Sequence, residues 1–280
     1  MGSIGASLPP VFRRASSAFS VRSYYPIRMV RVPGMAIPLG PVAISVHFLF
    51  ESLAYTAGFL IYRRERRRRG DIIGGPDRNA VIVAAILGAA LGSKLLAWFE
   101  DPALALRDPV TGLLGGKTIV GGLIGGTLAV EWVKKRLGIT RRTGDLFAIP
   151  MAIAIAIGRL GCFFGGIADG TYGSPTSLPW AVDFGDGIGR HPVQIYEILF
   201  LAALTAALVS LRRRGLRNGE LYRVFLLSYL TWRLAIDFLK PEPQFAGLSS
   251  IQWVCAATLI GYCRDTARMF SLPRKSYAHG

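Results

Sequence analysis

Arg233 and Asp237 stand four residues apart in a long apolar stretch, a spacing that puts a guanidinium and a carboxylate on one helix face where they can pair. Arg159, in another apolar stretch, has no acidic neighbour at helical spacing, so its partner must come from another helix, the following loop or a ligand. Two guanidiniums facing one cavity suit a phosphate, because the planar fork grips its oxygens in pairs and stays charged. His191, Gln194 and Glu197 follow at three-residue spacing after a His-Pro helix entry and form a third polar set. His47, Glu51, Lys94 and Glu131 are the other ionisable residues lodged among apolar neighbours. Ionisable groups are costly inside a membrane, so each marks function or a buried pair. Glu131, near the end of its stretch, needs only to reach the interface.

Those neighbours define the protein class. Over 280 residues, 51% hydrophobic and 18% charged, the mean hydropathy is +0.40. That composition excludes a soluble enzyme and a disordered chain, and three cysteines exclude a disulfide scaffold. Helices that cross a hydrocarbon core need about 20 mostly apolar residues. Windows of that kind run roughly over 41–61, 80–99, 117–133, 146–163, 193–211, 221–239 and 251–263. The expected fold is an all-α, polytopic membrane bundle of about seven transmembrane helices. A polar, disordered-type arm, 1–40, precedes a membrane domain, 41–265, and a tail, 266–280.

Basic residues gather on alternate connections, over 62–79, 134–145, 212–223 and 264–280, which predicts the N-terminus outside and the C-terminus in the cytoplasm. This use of charge accounts for the formal +16, so no nucleic-acid partner is expected. With that orientation Lys94, Arg159, Glu197, Arg233 and Asp237 fall in the outer half of the bilayer, where the available phosphate is an anionic phospholipid head group. Three histidines without mutual ligand spacing give no metal site. The run Gly121, Gly122, Gly125, Gly126, with Gly88 and Gly92, fits close helix packing better than a ligand loop. Cys162 reads as a small apolar residue in preference to a thiolate carrier.

Three segments resemble the prolipoprotein diacylglyceryl transferase family. They are Gly158-Arg159-Leu160-Gly161-Cys162-Phe163, then Asp169-Gly170-Thr171-Tyr172-Gly173, then Arg190-His191-Pro192-Val193-Gln194-Ile195-Tyr196-Glu197. The run at 121–126, the element from Arg233 to Asp237 and Lys94, where the family tends to arginine, agree in order, so the similarity covers roughly 41–263. The resemblance implies a multi-pass enzyme of the bacterial inner membrane with its active site toward the outer leaflet. It moves a diacylglyceryl group from phosphatidylglycerol to the lipobox cysteine of a preprolipoprotein, and no cofactor is implied. It implies catalytic roles for Arg159 and Arg233, with Asp237 where the family has glutamate; Glu51, where the family has tyrosine, or His191 is expected to stand in as the base. Substrate binding falls to Lys94, Gly121, Gly122, Cys162, Asp169, Gly173, Gln194 and Glu197. The arginines would hold the departing phosphate; Glu51 or His191 would take the thiol proton. Where the family has histidine before the glycine run, this chain has Val120, and its asparagine after the arginine is Cys162. These departures lie in the thiol-handling half, so the alternatives are another acceptor, or a non-catalytic protein that binds or transports anionic lipid.

Overall fold

The computed structural model describes residues 30–39, 42–100 and 116–271, with 39, 42, 43 and 263–271 given by backbone alone. Residues 1–29 of the expected arm and 272–280 of the expected tail lie outside the described residues. The described part is mostly helical, and an α-helix stands at each apolar window. These are α1 Val46–Arg69, α2 Gly75–Glu100, α3 Ile119–Arg136, α4 Asp145–Gly165, α5 Val193–Arg213, α6 Glu220–Ile236 and α7 Ser250–Ser271. Three of them, α2, α4 with its 3-10 extension to Asp169, and α5, are long and apolar enough to cross a membrane.

Local chemistry sets the helix ends. Ser45 caps α1 by accepting the Phe48 N–H at 3.2 Å, and Thr118 caps α3 by accepting that of Gly121 at 3.2 Å. Arg66 to Arg69 fill the last turn of α1 and Lys134 to Arg136 that of α3, where cations oppose the helix dipole. Asp145, in the first turn of α4, accepts the N–H groups of Gly219 and Tyr222 and so ties the starts of α4 and α6 together.

Small residues decide which helices touch. A side chain on Gly121 would lie 2.3 Å from the Gly92 carbonyl oxygen, and one on Gly125 2.3 Å from that of Gly88, so α2 and α3 pack backbone to backbone. On α4, a Cβ at Gly161 would meet Phe50 Cβ at 2.8 Å and the His47 carbonyl at 3.2 Å, so the C-terminal end of α4 lies directly on the start of α1. The core between α4, α5 and α6 contains Ala152, Leu201, Leu208, Phe225, Tyr229 and Leu230, all fully buried. Leu87, Leu91, Leu128, Leu199 and Ile260 face outward, a surface suited to hydrocarbon.

Among the described residues five short strands accompany the helices, namely β1 Val30–Arg31, β2 Ala36–Leu39, β3 Val42–Ser45, β4 Val182–Asp183 and β5 Gly189–Arg190. The sequence reading, all-α, missed them because two to four residues carry no usable alternation. β1 runs parallel to β4, which pairs antiparallel with β5; β2 and β3 form a hairpin leading into α1. Val32, Val182 and Phe184 bury a small second core against Phe163, Phe164 and Tyr172. The chain before α1 thus closes over the loop after α4, with Met35 N donating to Phe164 O at 3.0 Å. Gly166 has φ +65°, and a Cβ there would sit 2.5 Å from Gly34 N, so the crossing requires glycine.

Candidate active site

Side-chain pairs sort the bundle into two ends. Arg212 reaches Glu65 at 2.5 Å, Tyr62 stacks on Phe147 and Arg78 lies over the same ring, which gathers the end of α1, the starts of α2 and α4 and the end of α5. At the other end stand the start of α1, the ends of α4 and α6 and the start of α5, and there the polar residues meet.

Glu197, one turn into α5, is the hub. Its Oε2 lies 2.9 Å from Arg159 Nε on α4 and 3.4 Å from Arg233 Nη1 on α6. Its Oε1 accepts the Tyr229 hydroxyl at 2.7 Å. Arg233 Nη2 donates to Asp237 Oδ1 at 2.6 Å, and Ser249 Oγ donates to Asp237 Oδ2 at 3.3 Å. All four ionic groups are buried. The sum of the charges, two guanidiniums and two carboxylates, is zero, which is how so many ions tolerate burial. Arg233 Nε and Gln194 Oε1 remain buried without a hydrogen-bond partner among the described residues, leaving a donor and an acceptor for a ligand.

A second group adjoins the first. Arg159 Nη1 lies 3.8 Å from Cys162 Sγ, and Asp169 Oδ1 lies 2.6 Å from His47 Nδ1. Thr171 donates to the other oxygen of Asp169 and accepts Gln194 Nε2 at 3.4 Å. Gln194, Asp169 and Cys162 therefore sit together.

The remaining expected residues stand apart from this centre. Glu51, one turn below His47 on α1, pairs with Lys117 Nζ at 2.8 Å and accepts the Tyr55 hydroxyl at 3.2 Å. His191 Nδ1 is 3.3 Å from the Tyr196 hydroxyl, which also receives Trp180 Nε1 at 2.7 Å. Lys94 Nζ donates to Gly116 O at 3.1 Å. A Cβ on Gly173 would meet the His191 carbonyl at 2.5 Å, so Gly173 lets two loop segments touch; Gly121 does the same for two helices. Gly122 lines a hollow of about 1010 Å³, with Tyr55, Ile82, Met151, Tyr222 and Leu226. Ile155 and Leu226 bring that hollow to within a helical turn of Arg159 and Tyr229. Val120 is buried in the apolar core.

Sequence reasoning missed Tyr229, although it precedes Arg233 by four residues and Asp237 by eight and so shares their face. It noted His47 without assigning it a role.

A family model for prolipoprotein diacylglyceryl transferase matches residues 34–263. The chain belongs to that family. Among curated members, the phosphatidylglycerol–prolipoprotein diacylglyceryl transferase of Bordetella parapertussis is 33% identical over 247 residues, covering 80% of this chain and 90% of the relative. The enzyme of the same name from Polynucleobacter asymbioticus is 32% identical over 243 residues, 80% of this chain and 91% of the relative. That from Clostridium tetani is 31% identical over 189 residues, 64% and 75%. Every motif that carried the resemblance lies inside the matched span, as does the whole guanidinium–carboxylate centre of this family member.

Proposed function

We propose that this chain transfers the diacylglyceryl group of phosphatidylglycerol to the lipobox cysteine thiol of a preprolipoprotein, releasing glycerol phosphate. The observation that carries the proposal is the meeting of Arg159 and Arg233, from separate helices, on Glu197. In the reaction a sulfur–carbon bond forms while a carbon–oxygen bond to phosphate breaks, and the electron pair leaves with the phosphate. Fixed guanidiniums in a dry site meet that developing charge without reorganising. Asp237 and Glu197 hold the two forks in place. The incoming phosphate takes a share of donors now spent on carboxylates, together with the unpartnered Arg233 Nε. The hollow has the volume of a lipid-sized ligand and an apolar lining for acyl chains.

The proposal includes seven membrane crossings with the N-terminus outside and the centre toward the outer leaflet of the bacterial inner membrane. Its support is the separation of ends: Arg66 to Arg69, Lys134 to Arg136 and Arg212 lie away from the end that holds Glu197. Glu51 or His191 takes the thiol proton, and Lys94, Asp169 and Gln194 line the path of the substrates. One observation favours a second reading, binding of anionic lipid without chemistry: Val120, buried and apolar, cannot move a proton.

Cells depleted of their own transferase and supplied with this chain give the test, with lipoprotein modification read by mass. Rescue is expected. Well-expressed chain in the membrane without modified lipoprotein would leave the binding reading standing in its place.

A further inference from the structure

The departures from the family fall where the acceptor thiol is handled, so preparation of that thiol must rest on groups particular to this chain. Three donors assemble next to Arg159. His47 is the second residue of α1, Cys162 lies in the last turn of α4, and Asp169 ends the 3-10 turn that follows. The histidine nitrogen, the cysteine sulfur and a carboxylate oxygen all lie within 4.8 Å of one another. Two glycines permit this: Gly161 lets α4 approach the His47 backbone, and Gly165 faces Asp169, whose Cβ would lie 2.9 Å from an added methyl. His47 Nδ1 and Asp169 Oδ1 stand 2.6 Å apart as a close polar pair, the contact that an entering cation would replace.

One imidazole, one thiolate and one carboxylate form a borderline-soft set of the zinc type. Their charge, minus two when the thiol is ionised, equals that needed to neutralise a divalent ion. Three protein ligands leave a fourth position open, which distinguishes a reactive centre from a structural one. Tetrahedral zinc needs donors about 3.3–3.7 Å apart, so His47 Nδ1 and Asp169 Oδ1, at 2.6 Å, must part slightly while the wider separations, all within 4.8 Å, draw in. Thr171 and Gln194 support Asp169 from behind. The His47 side chain is 37% exposed, while those of Cys162 and Asp169 are buried, so the ion has one way in.

We propose that His47, Cys162 and Asp169 hold a divalent zinc-type ion whose open position takes the acceptor thiol, a role that rests on the transferase reading above. The bound thiol, made more acidic by the ion, gives up its proton to the base of the transferase reading, Glu51 or His191. Its sulfur then forms the bond to the glyceryl carbon as the carbon–oxygen bond to phosphate breaks. The electron pair leaves on glycerol phosphate beside Arg159, and the neutral thioether, a weak ligand, departs from the ion. Cys162 serves as a ligand here; had it carried the diacylglyceryl group itself, the resulting thioether would have no means of leaving.

The test uses the full chain in detergent, stripped with chelator and titrated with cobalt(II). One equivalent is expected to bind, with a sulfur-to-cobalt charge-transfer band in the near ultraviolet. Cys162→Ser is expected to remove the band, and His47→Ala or Asp169→Asn to weaken binding at least tenfold. A lipobox peptide with cysteine should intensify the band, and its serine version should not. No band in the folded wild-type chain, or a band that survives in Cys162→Ser, overturns the site. A band indifferent to the cysteine peptide overturns the acceptor role. A chain that rescues depleted cells yet binds no cobalt sinks this inference and leaves the transferase reading intact.

Discussion

Arg159 Nε stands 2.9 Å from Glu197 Oε2, and that contact joins two helices which the sequence gives no reason to pair. Glu197→Gln keeps the shape and removes the charge that two buried guanidiniums share. Breaking a buried pair costs about 3–5 kcal/mol. The variant is expected to melt well below the parent in detergent, with Glu197→Asp intermediate. A melting temperature equal to the parent's would show that the guanidiniums are neutralised elsewhere.

Arg159→Lys and Arg233→Lys retain a cation but lose the fork. A missing oriented donor commonly costs a factor of about 100–1,000 in turnover, and each variant is expected to fall by that order in a mass-based transfer assay. Tyr229→Phe removes a single hydrogen bond to Glu197, worth about 1.5–3 kcal/mol for a charged acceptor. Its loss of transfer should be smaller than that of either arginine variant.

Glu51→Gln and His191→Ala test the proton acceptor. Each is expected to lower turnover while phosphatidylglycerol binding stays within a few-fold of the parent. General-base loss typically costs a factor of about 100–10,000. Undiminished turnover in both variants would remove these two residues from the chemistry.

Gly92→Val and Gly122→Ala separate packing from binding. At Gly92 a Cβ would lie 2.4 Å from the Gly121 carbonyl, so valine should prevent α2 and α3 from seating and deplete folded chain. At Gly122 the nearest atom to an added Cβ is 3.6 Å away. Alanine there should fold normally, and any effect should show in lipid affinity. Equal yields of folded Gly92→Val and Gly122→Ala would contradict the packing account.

Asp71, between α1 and α2, pairs with Arg66 at 2.9 Å and with the buried Arg78. Burial alone would raise its carboxyl; the Arg78 guanidinium, the Ile73 N–H and Arg66 together hold it below the usual carboxylate range. A carboxyl depressed on folding contributes stability that is full above its unfolded pKa of about 3.9 and is lost as pH falls through the lower folded value. Asp71→Asn should therefore lower stability at neutral pH by about 3 kcal/mol, the low end for unpairing a buried charge. The gap from the parent should narrow as both are acidified below about pH 4. A gap constant with pH would mean that the asparagine fails for reasons of shape.

What could be read from residues alone was what local spacing determines. Apolar length located the helices, and the Arg233–Asp237 pair follows from one helical turn within one element. The rotation of α4 and α5 about their own axes does not follow from either sequence, so the choice of Glu197 by Arg159 emerged only in three dimensions. Gly121 has one role fixed by the Gly92 carbonyl beside it, whereas Gly122, one residue on, lines the hollow with room for a Cβ at ordinary contact distance; a glycine run cannot announce that difference. His47, Cys162 and Asp169 come from segments more than a hundred residues apart at the extremes, and no spacing rule connects them.

Residues 30–35 are made early, yet their partners at 164–184 follow more than a hundred residues later. During synthesis this segment must therefore wait, unpaired, until the loop bearing Asp169 arrives to be clasped. Maturation of the centre is thereby a late event in biogenesis, and any fusion partner attached at the front of the chain must leave the clasp room to shut.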